Sequence, residues 1–237
     1  MPYAPLLVLA AALFGALAAG LWAIGQPWGL AFLYPAFSFG LVSLGYMGWG
    51  AWMLGKRRDG GRRWWGYVLG GPFLVFMRLG RQLLWKLNHR EPAYDEVAEG
   101  VYVGRWLRLA HLPEDVTLVV DLTSELNASP CVRSRSGQYL CLPTLDGSAP
   151  SSAELRALLE QIAEHEGTLY VHCAAGHGRS AMVAASVLVR RGVASDVTEA
   201  MALMKKARPK VRLVRTQSRR ASEALDLIAQ GESSGGP

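Results

Sequence analysis

The first 55 residues of this 237-residue chain contain no charged side chain, and the first charged residue is Lys56. Soluble helices keep a polar face, so this absence argues against an ordinary soluble N-terminal region. Pro5–Gly25 and Gly29–Gly55 are each long enough to cross a bilayer core, which needs about 20 apolar residues per helix. The short "GQPWG" between them predicts a turn. Residues 1–55 are therefore expected to form a transmembrane helical hairpin, with a buried soluble hairpin as the alternative.

Cysteine is also scarce, with only Cys131, Cys141 and Cys173 in the whole chain. An odd and sparse count excludes a disulfide framework and fits a reducing compartment. No second Cys/His pair offers the spacing of a tetrahedral metal site, so no metal is predicted. Cys131 and Cys141 are expected to be small buried apolar residues, although one of them could act as a resolving thiol.

The net positive charge is concentrated in two clusters, residues 56–90 and residues 205–220, each with a net charge of +8, while the whole chain carries +6. The first cluster flanks a shorter apolar stretch, Trp64–Met77, on both sides. Positive flanks favour the cytoplasmic side, so residues 56–95 are expected to form a basic interfacial or re-entrant helix and a linker. The alternative is a third crossing, which would place the C-terminal region outside. Few aromatic residues interleave the second cluster, which argues against nucleic-acid binding.

After residue 95 strands and helices alternate, which predicts an α/β domain over residues 96–230 with a mostly parallel central sheet flanked by helices. A capping box from Ser151 to Glu154 marks the start of one helix. The polar segment 231–237 is expected to be a disordered tail. Strands are expected at 99–105, 116–123, 139–143 and 168–173, and helices at 151–165, 179–192, 195–207 and 216–230.

The stretch "VHCAAGHGRS", Val171–Ser180, lies where the last strand passes into a helix. Ligands of α/β sheets bind at such carboxyl ends of strands. Gly176 and Gly178 allow the loop amides to turn inward, which together with the helix N-terminus makes a cradle for an anion. The same field stabilises a thiolate at Cys173, and the planar fork of Arg179 can hold a tetrahedral oxyanion. These features predict nucleophilic phosphoryl transfer.

The arrangement His-Cys, five residues, Arg-Ser resembles the signature of the cysteine-dependent protein tyrosine phosphatases, and its context is similar to their dual-specificity branch. The resemblance extends over about Glu99–Gln230. It implies that Cys173 is the nucleophile that forms a phosphocysteine, and that Ser180 donates to the sulfur and eases its departure. It also implies that His172 orients the loop and helps to lower the pKa of the thiol. The implied phosphate-binding residues are Ala174, Ala175, Gly176, His177, Gly178 and Arg179.

The family also needs a general acid, usually an Asp on a loop after the preceding strand. The segment "YLCLPTLDGSAPS" supplies Asp146 at that place, and Asp121 at the end of an earlier strand is the fallback. The acid protonates the leaving oxygen and can later activate water. The reaction uses no cofactor and no metal.

The loop "CAAGHGR" resembles that of phosphoinositide 3-phosphatases in its Gly-x-Gly step but has Ala174 and His177 where those enzymes carry lysines. With the hairpin and the second basic cluster, it suggests a membrane-anchored phosphatase acting on a phospholipid head group, such as phosphatidylglycerophosphate or a phosphoinositide. The alternatives are a dual-specificity protein phosphatase acting on phosphotyrosine, phosphoserine and phosphothreonine, or a non-catalytic phospho-ligand binder or membrane scaffold. Expected partners are membrane lipids and a phosphorylated lipid or protein substrate. The expected location is a bacterial inner membrane with the catalytic domain in the cytoplasm.

Overall fold

The computed structural model describes residues 3–87, 91–107, 112–129, 132 and 137–234. The chain divides into two units. One unit consists of Met1–Arg57 and Gly61–Glu91, and the other of Arg58–Gly60 and Pro92–Pro237. The first unit is mainly helical, and the second contains a five-stranded sheet.

The helical unit begins with two apolar helices that run antiparallel. The ring of Phe14 lies 5.8 Å from that of Phe39, and the ring of Tyr3 lies 5.9 Å from that of Tyr46. The second apolar span is not one straight helix, because positive φ angles at Gly48 and Gly50 break it near its end. The segments are α1 (Ala4–Ala23), a 3₁₀ turn (Pro27–Phe32), α2 (Leu33–Leu44), a π turn (Gly45–Trp49), a 3₁₀ turn (Ala51–Leu54) and α3 (Trp64–Leu87).

Two segments of this unit, Ala4–Ala23 and Pro27–Trp49, are apolar and long enough to cross a membrane. Only 11% of the first and 33% of the second is buried. Leucine side chains along α1, among them Leu9 and Leu13, are exposed. A core helix of a soluble domain would bury such side chains, so this surface is typical of a helix that contacts lipid or another apolar surface.

Helix α3 is one continuous helix that contains Pro72 and includes both the apolar stretch Trp64–Met77 and the basic residues that follow it. Proline has no N–H, so the carbonyl of Val68 one turn earlier loses its helical donor. The hydroxyl of Tyr34 on α2 donates to that carbonyl. One turn along α2, the hydroxyl of Ser38 accepts a hydrogen bond from the N–H of Phe73 at 3.3 Å. Side chains of α2 therefore satisfy the backbone at the Pro72 irregularity.

The second unit has the predicted α/β fold. Its sheet has the order β1-β2-β5-β3-β4, in which only β1 is antiparallel to its neighbour. The elements are β1 (Tyr94–Ala98), β2 (Val101–Arg105), β3 (Val116–Thr123), β4 (Gln138–Thr144), α4 (Ser152–Ala163), β5 (Thr168–Cys173), α5 (Arg179–Arg190), α6 (Val197–Ala207) and α7 (Arg215–Ser234).

The main core lies between one face of the sheet and helices α4 to α7. On β5 the side chains alternate, so that Val171 and Cys173 belong to this core while Tyr170 belongs to a smaller cluster with Val119 and Leu107. The continuous apolar character of β3 and β5 reflects burial on both faces, as in other parallel sheets. This register places Cys173 at the carboxyl end of a central strand, directly before α5.

Two parts of the second unit differ from the sequence-based expectation. Strand β1 was not predicted, because its polar sequence "YDEVA" shows neither alternation nor an apolar run. The expected tail is helical through Ser234, since α7 continues past Gly231. A carboxylate oxygen of Glu232 lies 3.5 Å from the guanidinium of Arg190 on α5, which helps to hold this last turn. The capping box of Ser151 and Glu154 is present as predicted.

Candidate active site

Cys173 is buried at the point where β5 ends and the loop 174–178 begins. The N–H of Gly176 donates to its sulfur at 3.3 Å, and the hydroxyl of Ser180 lies 3.5 Å from the same atom. Ser180 occupies the first turn of α5, so the thiol faces the N-terminal end of a helix. This surrounding of donors favours the thiolate form.

The loop 174–178 turns its carbonyl groups away from Cys173. The carbonyl of Ala174 accepts from the N–H of Trp106 at 3.4 Å, and that of His177 accepts from the N–H of Arg212 at 3.0 Å. The guanidinium of Arg208 donates to the two carbonyls between them, those of Ala175 and Gly176. Because the C=O and N–H of a trans peptide point in opposite directions, outward carbonyls leave the loop amides facing inward.

Gly176 is required by the shape of this loop. Its φ angle is +78°, in the left-handed region that favours glycine. A Cβ at this position would lie 2.5 Å from the carbonyl carbon of Gly104 on β2. The loop therefore packs directly on the neighbouring strand, and the glycine of the motif permits that close approach.

Arg179 is only 1% exposed, and its guanidinium is held from several sides. Its terminal nitrogens donate to both carboxylate oxygens of Glu125, at 2.7 and 3.0 Å. They also donate to the carbonyl of Thr144 at 2.7 Å. The Nε atom of Arg179 is buried and has no hydrogen-bond partner among the described residues. That buried donor can therefore take a further hydrogen-bond acceptor, such as an anion, as its partner.

Asp146 lies in the turn that follows β4, as the sequence indicated. One of its carboxylate oxygens lies 3.0 Å from a terminal nitrogen of Arg179. Its side chain is 45% exposed, in contrast to 3% for that of Glu125. The structure thus brings together Cys173, Arg179, Ser180 and Asp146, which the sequence placed in one site.

Glu125 was missed by the sequence analysis. It lies two residues after β3, in "TSELN", and it is 54 residues away from Arg179 along the chain. The one available signal is topological, since β3 is the neighbour of β5 and residues after parallel strands meet at the same edge. A glutamate in a polar loop gives no other indication that it is buried against an arginine.

Asp121, the fallback acid, is fully buried on β3 and engaged in a different network. It accepts hydrogen bonds from the hydroxyls of Thr123 and Tyr139, both at 2.7 Å. Its carboxylate also lies 4.0 Å from the Nε2 atom of His172. Burial, followed by the charge of Asp121, raises the pKa of the Tyr139 hydroxyl above its ordinary range. Asp121 is therefore bound to Thr123 and Tyr139 and lies beside His172, whereas Asp146 is the carboxylate in contact with Arg179.

The electrostatics of the site follow from these contacts. Burial raises the pKa of the Cys173 thiol, but the positive charge of Arg179 and the hydrogen bond with Ser180 outweigh it, so the net shift is downward. Burial also disfavours the charged form of Arg179 and so lowers its pKa, but the carboxylates of Glu125 and Asp146 raise that pKa well above the usual range. The site therefore pairs a stabilised thiolate with a permanently charged arginine.

Cys141 is buried on β4, as expected, while Cys131 lies outside the described residues. Within the described ranges, no group of three or more His, Cys, Asp or Glu side chains could hold a metal ion.

Residues 106–226 match the family described as Swiss Army Knife protein, DSP-PTPase phosphatase domain, which is just over half of the chain. The solved structure of PTPMT1 in complex with PI(5)P is similar with a TM-score of 0.52 and 23% identity, covering 60% of this chain and 99% of PTPMT1. PTPMT1 alone gives a TM-score of 0.50 and 24% identity with the same coverage. Human DUSP28 gives 0.47 and 20%, covering 59% of this chain and 97% of its own. No curated protein matches the chain. At these identities the likeness to PTPMT1 shows a shared fold.

Proposed function

This chain belongs to the Swiss Army Knife family of DSP-PTPase phosphatase domains, and we propose that it dephosphorylates a membrane phospholipid. As a member of the cysteine-dependent phosphatase superfamily, it hydrolyses phosphate monoesters. The choice of substrate and the anchoring in a membrane are the proposed parts. The roles of individual residues belong to the same proposal.

In the first step, the thiolate of Cys173 attacks phosphorus and the bond from phosphorus to the ester oxygen breaks. The protonated carboxyl of Asp146 gives its proton to that leaving oxygen. In the second step, the Asp146 carboxylate takes a proton from water as the water oxygen attacks the phosphocysteine. The sulfur then leaves as a thiolate, which Ser180 and the N–H of Gly176 stabilise.

The cradle supplies the charge that the transition state needs. The inward amides of Ala175, Gly176, His177 and Gly178 face the position proposed for the phosphoryl oxygens. The Nε of Arg179, with no partner among the described residues, adds a charged donor on the same side. This buried donor, next to Cys173 and the inward loop amides, is the observation that carries the proposed chemistry.

Three features support a lipid substrate. The exposed apolar surface of α1 and α2 fits an integral membrane hairpin over residues 1–55, which would keep the catalytic domain close to lipid head groups. Exposed basic residues follow the catalytic loop in the chain, among them Lys210, Arg212 and Arg215, and such residues attract anionic lipid by about 1 kcal/mol each near the surface. PTPMT1, which shares the fold, was solved with PI(5)P, a phosphorylated lipid.

The membrane arrangement is proposed as the sequence suggested it, with residues 56–95 as the interfacial or re-entrant segment and linker and residues 96–230 as the catalytic domain in the cytoplasm. The basic residues on both sides of the apolar stretch Trp64–Met77, in segments 56–63 and 78–90, favour the cytoplasmic face. A thiolate enzyme also suits a reducing compartment. A bacterial inner membrane is the proposed location.

The test is a comparison of phosphate release from two kinds of substrate by the full chain in detergent or vesicles. One is phosphatidylglycerophosphate or a phosphoinositide in anionic vesicles, and the other is a set of tyrosine and serine phosphopeptides at the same phosphate concentration. The Cys173→Ser variant serves as the blank. We expect kcat/KM for lipid to exceed that for every peptide by at least about tenfold, a difference of about 1.4 kcal/mol in transition-state stabilisation. Faster turnover of the peptides would favour the dual-specificity protein phosphatase instead. Absence of turnover even with an aryl phosphate would indicate a phospho-ligand-binding protein.

A further inference from the structure

Arg208 lies between α6 and α7 and is only 2% exposed, which is unusual for an arginine outside an active centre. Its Nε donates to the carbonyl of Gly176 at 2.9 Å, and one terminal nitrogen donates to the carbonyl of Ala175 at 3.3 Å. The other terminal nitrogen donates to the Asp95 carboxylate at 2.6 Å. A single guanidinium thus joins two consecutive peptide groups of the loop to strand β1.

The first of these peptide groups connects Arg208 to the nucleophile. The peptide between Ala175 and Gly176 has its carbonyl on Arg208 and its N–H on the sulfur of Cys173. A peptide is planar and trans, so holding the oxygen on one side fixes the direction of the N–H on the other. The next peptide, between Gly176 and His177, is held by the Nε of Arg208 in the same way, which directs the N–H of His177 into the cradle.

The arrangement depends on the shape of the guanidinium as well as on its charge. Arginine has five N–H donors in a fixed planar fork, so it can hold two neighbouring carbonyls and a carboxylate at once. The ammonium group of lysine is a point charge on a flexible stem and cannot reproduce that geometry. Asp95 lies on β1, the strand that the sequence did not predict. Its carboxylate compensates the buried positive charge of Arg208 and binds the terminal nitrogen that does not contact the loop.

We propose that Arg208 is a positioning residue of the phosphatase site: it holds the peptide groups of Ala175 and Gly176 with their carbonyls outward, so that loop amides point at the Cys173 sulfur and at the bound phosphoryl group. It touches neither the sulfur nor the substrate. The inference rests on the proposed function for the use of the cradle, but its effect on the thiol is measurable without any substrate.

The test is the rate of iodoacetate alkylation of Cys173 as a function of pH, followed by peptide mass spectrometry so that Cys131 and Cys141 do not contribute. Arg208→Lys keeps the charge and removes the fork. Arg190→Lys is the matched control, because Arg190 also donates to a carbonyl, that of Leu159 at 2.8 Å, but lies at the far end of α5. Thermal melting of each variant shows whether it is folded.

We expect Arg208→Lys to move the midpoint of the alkylation profile upward by about one pH unit, which corresponds to about a tenfold loss of thiolate at low pH. Arg190→Lys should follow the parent. A folded Arg208→Lys protein with the parent midpoint would overturn the proposal, and so would an equal shift in both lysine variants.

If Arg208→Lys does not fold, the same alkylation profile is measured with Asp95→Asn. That change keeps the guanidinium but loosens its anchor on β1, so a smaller upward shift is expected, and an unchanged midpoint would overturn the proposal. Because alkylation needs no turnover, failure of the protein to dephosphorylate lipid would contradict the proposed function and leave the comparison at Arg208 intact.

Discussion

Glu125 and Asp146 contact the same guanidinium group, that of Arg179, but Glu125 is buried and Asp146 is partly exposed to solvent. The Glu125 side chain is 3% exposed and binds Arg179 with both oxygens, whereas that of Asp146 is 45% exposed and reaches Arg179 from a turn. A buried carboxylate that accepts two hydrogen bonds fixes the orientation of the arginine guanidinium. An exposed carboxylate on a loop can exchange Arg179 for the substrate oxygen or for water. We therefore assign positioning to Glu125 and proton transfer to Asp146.

Replacement of Asp146 by alanine tests the proton-transfer role. We expect kcat for alkyl phosphates to fall by about 10²–10⁴-fold, the usual effect of removing a general acid. Aryl phosphates have good leaving groups that need little protonation, so their turnover should fall much less. Steady-state kinetics with the two classes measure the difference. An unchanged kcat for alkyl phosphates would show that another group is the acid.

Replacement of Glu125 by glutamine tests the positioning role. The amide keeps the shape but lacks the charge and one acceptor, and a hydrogen bond to a charged group contributes about 1.5–3 kcal/mol. We expect kcat/KM to fall by about 10–100-fold. Glu160→Gln is the control, because Glu160 pairs with Arg156 on the surface of α4 at 2.7 Å. Equal values of kcat/KM in the two glutamine variants would show that Glu125 does not position Arg179 for catalysis.

At the scale of residues, the sequence predicts contacts between residues that are close along the chain and misses contacts between residues that are far apart along it. Cys173, Arg179 and Ser180 lie within eight residues of one another, so strand, loop and helix geometry suffices to bring them together. Glu125 reaches Arg179 only through the order of the strands, and Arg208 reaches the loop 174–178 only through the packing of the connection between α6 and α7. Their polar sequence context resembles that of any surface loop.

At the scale of elements, the interaction between α2 and α3 depends on two hydroxyl groups. Tyr34 and Ser38 are one turn apart on α2, and they satisfy the carbonyl of Val68 and the N–H of Phe73 around Pro72. Where water is excluded, an unsatisfied backbone group is costly, and neighbouring hydroxyls are one way in which apolar helices tolerate proline. Helix α3 is thereby specifically joined to α2.

We expect Ser38→Ala to lower the free energy of unfolding of the helical unit by about 0.6 kcal/mol, and by no more than about 1.7 kcal/mol, which are the average and the maximum measured for hydrogen bonds between membrane helices. Ser43→Ala is the matched control, because Ser43 donates to the carbonyl of Gly40 within its own helix at 2.7 Å. Unfolding of the full chain in detergent, followed by tryptophan fluorescence, measures both. Equal stability of the two variants would contradict the role of Ser38.

The elements themselves were largely predictable. Apolar runs gave β3 and β5 at their observed bounds, and the capping box placed the start of α4, because these signals report burial and helix ends directly. Strand β1 was not predictable from its sequence, since an edge strand with polar residues carries no periodic signal. The continuity of α3 through Pro72 was not predictable either, because it depends on side chains from another helix.

At the scale of the whole molecule, the sidedness of the catalytic domain is open to a direct test. A single reporter cysteine replacing Ser234, in a chain without other cysteines, should resist a membrane-impermeant reagent in intact cells and react after the cells are opened. The reason is the positive charge on both sides of the apolar stretch Trp64–Met77, which favours the cytoplasmic face. Labelling in intact cells would show that α3 crosses the membrane, and an extracytoplasmic substrate would then be the better hypothesis.

The central claim is that Cys173 carries the phosphoryl group during turnover. The most direct measurement is to mix the full chain, in the presence of a chelator, with a ³²P-labelled phosphate monoester and to stop the reaction with denaturant at neutral pH within the first turnover. The labelled peptide is then identified. We predict label on the peptide that contains Cys173, its loss in Cys173→Ser, and its formation without any divalent ion, because the thiolate and Arg179 provide the nucleophile and the charge. Label on another residue, or turnover that stops in chelator and returns with a divalent ion, would contradict this mechanism.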